Sequence, residues 1–227
     1  MARRSLPSFS DLWKQHEKLY VDIFSIAIAQ LAEKNTCPSG DEDEISEQLC
    51  PVLNSVCFEE GKKRNCEIRT PDWEKPIQPV INKELKRGKI GKRPDFTCKC
   101  HNPFASHAKE HEIALHVECK RLGEPTSRTW ILNKNYVNNG IKRFDSRIHK
   151  YGKRAYSGMM IGYIISMEPE QILNEVNEWQ QKQMPQNPKL SFQFANPPVF
   201  KEKQNLNRKN VKPKRFHLIH LWVDFRN

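Results

Sequence analysis

The stretch IALHVECKRLG, Ile113–Gly123, fixes what kind of fold this chain can have. Along an extended strand successive side chains alternate between faces. Ile113, Leu115, Val117 and Cys119 therefore point one way, and Ala114, His116, Glu118 and Lys120 the other. Glu118 and Lys120 then stand side by side, roughly 6–7 Å apart along the strand. Such a pair is either a solvated ion pair on a sheet edge or the working end of a site.

Upstream stands RPDF, Arg93–Phe96. Pro94 cannot donate a ladder hydrogen bond and belongs at the start of a strand, so Asp95 falls just inside the sheet. If PDFTCKC and EIALHVECK are neighbouring strands, Asp95 approaches Glu118. Two carboxylates brought together repel unless a proton or a cation lies between them. Oxygen-rich acidic pairs with open positions suit Mg²⁺, which keeps several waters. A lysine beside them would donate to a phosphate oxygen or orient an attacking water.

The surrounding periodicity predicts an α/β domain around a mixed sheet. A helix is expected over 10–34, and a second from the acidic start GDEDE through about residue 60, with Pro51 as a kink or break. Residues 61–93 hold eleven Lys/Arg, four Asp/Glu and prolines at 71, 76 and 79; they read as an irregular arm with at most one short strand. After the two strands come a helix, ILNKNYVNNGIKRFDSRI, weakened by Gly140, then the strand SGMMIGYIIS and a helix over 168–181. Residues 184–215 read as loop, and FHLIHLWVDF as a closing strand. No internal repeat is found.

Composition narrows the partners. The chain has 227 residues, 38 Lys+Arg against 27 Asp+Glu, and a formal net charge of +11. That excess favours a polyanion, nucleic acid above all. No run is long enough to span a bilayer and no signal-type apolar segment opens the chain, so a soluble cytoplasmic protein with no membrane partner is expected. The seven cysteines are expected as reduced, mostly buried thiols. Cys98, Cys100, His101, His107 and His111 raise a zinc question, but C-x-C is not the usual ligand spacing. A polar hairpin loop is expected there instead.

Pro94-Asp95 followed by Glu118-Cys119-Lys120 resembles the PD-(D/E)xK, or restriction-endonuclease-like, nuclease superfamily. The likeness spans roughly residues 40–170 and rests on few positions. It implies a mixed four- to five-stranded sheet flanked by helices, with 1–40 an N-terminal helical extension, 41–182 the core, and 183–227 a basic loop and closing strand, all one domain. It also implies a metal-dependent nuclease acting on DNA, in a prokaryotic restriction or anti-phage defence setting. Residue by residue, Asp95 and Glu118 would be metal-binding carboxylates, the main-chain carbonyl of Cys119 a further ligand, and Lys120 the catalytic lysine. The metal would be Mg²⁺, with Mn²⁺ as substitute. Members often add an acid from the first core helix, for which Glu47, or else Glu44, is the choice. The family implies a targeting partner, a second copy or a helicase/ATPase-type protein. One departure is the 22-residue interval between Asp95 and Glu118, longer than a simple hairpin needs.

The basic clusters would grip the phosphate backbone without reading sequence. Lys89, Lys92, Arg93, Lys142, Arg143, Lys153 and Arg154 are the expected contacts, and the basic run 207–215 a further one. Tyr136, Phe144, Tyr151 and Tyr156 can stack on sugars or bases. His116 shares the face of Glu118 and reads as a packed histidine. Two rivals remain: a nucleic-acid-binding module on the same fold without turnover, and an interaction subunit indifferent to metal.

Overall fold

The computed structural model describes residues 8–34, 41–76, 92–195 and 198–226. Lys89 and most of the basic run 83–93 lie outside the described residues. Two long helices lead, α1 (Phe9–Glu33) and α2 (Glu42–Arg64). Each opens on a reciprocal capping box, Ser8 with Asp11 and Asp41 with Glu44, which satisfies backbone donors that the first turn leaves unpaired. α2 runs through Pro51 without a break.

The strands are β1 (Asp72–Trp73), β2 (Phe96–His101), β3 (Glu112–Leu122), β4 (Ser157–Ile164), β5 (Val199–Asn207) and β6 (Arg215–Asp224). They form one six-stranded sheet in the order β1-β2-β3-β4-β6-β5. β3, β4 and β6 are parallel to one another, and β1, β2 and β5 pair antiparallel at the flanks. A one-turn helix, α3 (Ala108–His111), bridges β2 and β3; α4 (Leu132–Asn135) follows β3, and α5 (Pro169–Gln183) follows β4.

The sheet therefore has six strands rather than four to five. The addition is β5, in a segment read from sequence as loop. Its inward positions include the polar Gln204 beside Phe200 and Leu206, so its alternation is faint. Its strand state comes from pairing with β6 along its whole length.

The single helix expected over 131–148 is also corrected. α4 passes into a π-helical turn, Tyr136–Gly140, and then a 3₁₀ turn, Ile141–Asp145. Gly140 sits at the change of winding for a packing reason. A Cβ there would stand 2.4 Å from Met160 Cε and 3.5 Å from the Lys120 stem. Only glycine lets this turn close down over β3 and β4 without displacing its neighbours.

The core continues on both faces of the sheet. Phe24 of α1 meets Phe96 edge-on at 5.5 Å, and Trp13 donates its indole N–H to Ser157 Oγ at 2.9 Å. The segment expected as an N-terminal extension is thus packed into the same core. On the other face, Tyr136 accepts from Trp222 at 2.9 Å and bonds His220 at 2.7 Å. Among the described residues no helix is long and apolar enough to cross a membrane. All six described cysteines are free thiols.

Candidate active site

β3 lies between β2 and β4, not at an edge, and both of its faces are covered. This removes the solvated-edge reading of Glu118 and Lys120. Glu118 is 0% exposed and Lys120 6%. Polar groups this deep must be paired or lose several kcal/mol, and their partners define the site.

β2 pairs with β3 from Phe96 opposite Val117 onward, which leaves Asp95 one step beyond the ladder. Its Oδ2 accepts the main-chain N–H of Cys119 at 2.5 Å, so a side chain supplies what the absent strand residue would have given. Asp95 is thereby fixed beside the residue between Glu118 and Lys120. Lys120 Nζ reaches Glu118 Oε1 at 2.9 Å, Glu42 Oε1 at 2.5 Å and the Cys119 carbonyl oxygen at 2.6 Å. Arg143, from the 3₁₀ turn, also donates to Glu118 Oε1. The other oxygen, Glu118 Oε2, is buried with no hydrogen-bond partner.

Three acids thus face two cations in a largely dry space. Burial pushes the Asp95 carboxyl up to about 6, against the pull of Lys120. Burial and the neighbouring Asp95 push Glu118 up to about 8, against Lys120 and Arg143. For Lys120 burial would favour the neutral amine, but Glu118, Glu42 and Asp95 outweigh it and raise its pKa. The acids are undercompensated, and the site favours further positive charge or a proton.

The donor set suits a hard divalent cation. It offers an orphaned, buried carboxylate oxygen on Glu118, a second carboxylate on Asp95 and the Cys119 carbonyl. No three Cys, His, Asp or Glu side chains among the described residues are grouped closely enough to hold a metal unaided. Waters would complete the shell, as Mg²⁺ prefers.

The first-helix acid at the site is Glu42, not Glu47 or Glu44. Glu44 is committed to the capping box, its carboxylate accepting the Asp41 N–H at 3.2 Å. Glu47 is exposed. At 100° per residue these positions turn to other faces of α2 than Glu42 does. Sequence reasoning favoured an interior position; the site instead takes an acid from the first turn, where the helix end approaches the strand. The acidic run DEDE marked the neighbourhood without choosing among its members.

The expected backbone contacts divide. Arg143 belongs to the buried cluster. Lys142 bonds Gln183 at 3.0 Å. Arg93 is exposed, 3.9 Å from Glu74, and Lys92, Lys153 and Arg154 are half-buried. Of the expected stacking aromatics, Tyr136, Phe144 and Tyr151 are core residues and only Tyr156 is exposed, at 44%. Their rings fill the sheet face, which an isolated sequence cannot distinguish from a binding face. His116 is packed, its Nδ1 accepting the Gly152 N–H at 3.0 Å, and burial lowers its pKa to about 4.

The basic loop after β5 is tied down. Asp145 accepts the main-chain N–H groups of Lys209, Asn210 and Val211 at 2.9, 2.7 and 3.3 Å. The buried Arg208 donates to the carbonyls of Phe144, Tyr151, Gly152 and Pro213. Sequence gave Asp145 no role, because its partners lie more than sixty residues away.

A cavity of about 310 Å³ opens over Lys120, with Glu42, Arg143, Trp130, Asn135 and Asn139 in its wall. Comparison with protein-family models, curated proteins and solved structures finds no match to this chain.

Proposed function

We propose that this chain is a metal-dependent nuclease of the PD-(D/E)xK type, hydrolysing phosphodiester bonds in DNA. The observation that carries the proposal is the convergence of Asp95, Glu118, Lys120 and Glu42, the last two lining a cavity and Glu118 keeping one buried carboxylate oxygen unpartnered. Asp95, Glu118 and the Cys119 carbonyl would hold Mg²⁺ or Mn²⁺. When bound, the ion supplies positive charge to a phosphate oxygen and lowers the pKa of a coordinated water.

The chain's own residues do the rest. Lys120 carries a permanent ammonium into the cavity and can donate to the scissile phosphate as negative charge grows on it. Glu42 pairs with that ammonium alongside Glu118, so the lysine is held rather than swept by its four-carbon stem. Arg143 sits where a second phosphate oxygen can accept from its guanidinium fork. The net charge of +11 and the tethered basic loop 208–215 favour a polyanionic substrate, bound through its backbone. A prokaryotic restriction or defence setting and a targeting partner belong to the same proposal and rest on the family likeness alone.

The test compares the purified protein with Glu118→Ala on labelled DNA and RNA in Mg²⁺, Mn²⁺ or EDTA. Metal-dependent cleavage that disappears in the variant is the expected result. Salt-sensitive DNA binding without cleavage in any metal would refute turnover and leave a binding module.

A further inference from the structure

Six large apolar side chains are substantially exposed among the described residues, and one of them, Trp130 at 51%, lines the cavity over Lys120. Its position is built. Trp130 N–H donates to the Ser127 carbonyl at 3.2 Å and to Ser127 Oγ at 3.0 Å, while its own carbonyl accepts from Thr126 N–H at 3.1 Å. The turn is anchored behind by Gly123, whose N–H donates to Asn133 Oδ1 at 3.0 Å. At φ +138° and with a Cβ position 2.3 Å from Ser166 Oγ, residue 123 must be glycine. A loop so firmly closed keeps an indole facing the cavity instead of folding it into the core.

Polar groups in the same wall are incompletely used. Asn135 Oδ1 accepts from Asn139 Nδ2 at 2.9 Å, and Asn135 Nδ2 is buried with no partner. Orphaned buried donors are rare and mark places where a partner is missing. The cavity therefore combines in its wall an exposed indole and the Asn135 and Asn139 side chains with the cations Lys120 and Arg143. At about 310 Å³ its size is at the lower end of small-ligand sites, roughly 300–1,000 Å³.

We infer that the Trp130–Asn135–Asn139 wall is a nucleobase subsite, which takes one unstacked base of a single strand while the adjoining phosphate meets Lys120 and Arg143. The assignment of the phosphate end rests on the nuclease reading; the base end does not. A base inside a duplex cannot present its face to an indole. The favoured substrate is thus single-stranded, or a duplex end or lesion that lets a base swing out. A stacked base is held by its face, which all four bases possess, so the subsite reads unstacking rather than sequence.

The experiment measures fluorescence anisotropy of labelled oligothymidylate, oligouridylate and a blunt duplex in EDTA, where cleavage cannot intervene. Wild type, Trp130→Ala and Trp130→Phe are compared, each checked for native melting. Loss of one base–aromatic stack is worth roughly tenfold in affinity. The expected result is that loss for Trp130→Ala on the single strand, recovery by Trp130→Phe, and no change on the duplex. The two oligonucleotides separate DNA from RNA. Equal single-strand affinity of Trp130→Ala and wild type, or a matching loss on duplex, overturns the subsite. A protein that never cleaves yet binds single strands through Trp130 keeps the subsite and loses the nuclease reading. One that cleaves in metal yet binds single strands equally tightly as Trp130→Ala keeps the nuclease reading and loses the subsite.

Discussion

Arg143 donates to Glu118 Oε1 across a separation of 25 residues, and the same oxygen receives Lys120 Nζ at 2.9 Å while Oε2 receives nothing. One carboxylate oxygen is doubly engaged and its twin is idle. Both cations come from the protein, so the Glu118 side chain is held in place before any ligand arrives. Arg143 reaches it only because the π-turn at Gly140 brings the following 3₁₀ turn down onto β3.

Arg143→Gln is expected to lose about 1–3 kcal/mol of stability at pH 8, the range for a hydrogen bond to a charged group. At pH 5 the loss should shrink, because Glu118, raised to about 8, is then protonated. Urea unfolding at the two pH values checks this; an equal loss at both would show that Arg143 serves packing only.

Lys120→Met should cost about 3–5 kcal/mol, since it removes the ammonium shared by the buried Glu118 and Glu42. The double variant Glu118→Gln/Lys120→Met should cost clearly less than the two single changes added together. A double-mutant cycle by chemical denaturation measures the difference. Strict additivity would mean that the 2.9 Å contact carries no coupling.

The pH dependence has a defined sign. Asp95 and Glu118 bind protons more readily in the folded chain than when unfolded, their pKa values rising from 3.8 to about 6 and from 4.5 to about 8. Folding that holds extra protons weakens as pH rises. The buried His116 and His220, lowered from 6.5 to about 4 and about 3, act oppositely, removing stability as pH falls below 6.5. His149, also lowered to about 4, adds to the imidazole effect, which fades above about pH 7, where the carboxylate effect is the larger. The metal-free protein should lose up to about 1 kcal/mol between pH 7 and 8, and Glu118→Gln should flatten the profile there. Mg²⁺, which competes with these protons, should raise the melting temperature more at pH 8 than at pH 6.5. Calorimetric scans with Mg²⁺ and with EDTA decide it.

Glu42→Gln should reduce metal-dependent cleavage roughly 10–100-fold, as loss of a supporting partner commonly does, while Glu47→Gln stays within about twofold because an exposed acid remote from the site adds little. The reverse order would return the first-helix role to Glu47. Initial rates on one labelled substrate suffice.

Asp145→Asn weakens three main-chain contacts to Lys209, Asn210 and Val211. Faster amide exchange at those three positions is expected, together with a stability loss of at least about 1 kcal/mol. Unchanged exchange would show that Arg208 alone fixes the loop.

Much of the fold was legible because burial writes itself into local pattern. The period-2 alternation of Ile113, Leu115, Val117 and Cys119, the helical spacing in 10–34 and the apolar run at 157–166 each announced an element. β5 was not legible: its inward face includes Gln204, and strands with polar inner positions acquire their state from a neighbour. The break in the 131–148 helix escaped for a related reason, since only the approach to Met160 and Lys120 explains glycine at 140.

Sequence alone determined that Glu118 and Lys120 share one face of a strand of an α/β sheet and that Asp95 stands at the start of the strand before it, because period-2 alternation and Pro94 mark both places. Tertiary structure decided which groups complete the site. Glu42 and Arg143 come from a helix start and a 3₁₀ turn that are 78 and 25 residues from their partners. Tyr136, Phe144 and Tyr151 went to the core and Trp130 to the cavity. Contacts between distant segments depend on how layers pack and how a π-turn bends, and a local pattern holds no record of either.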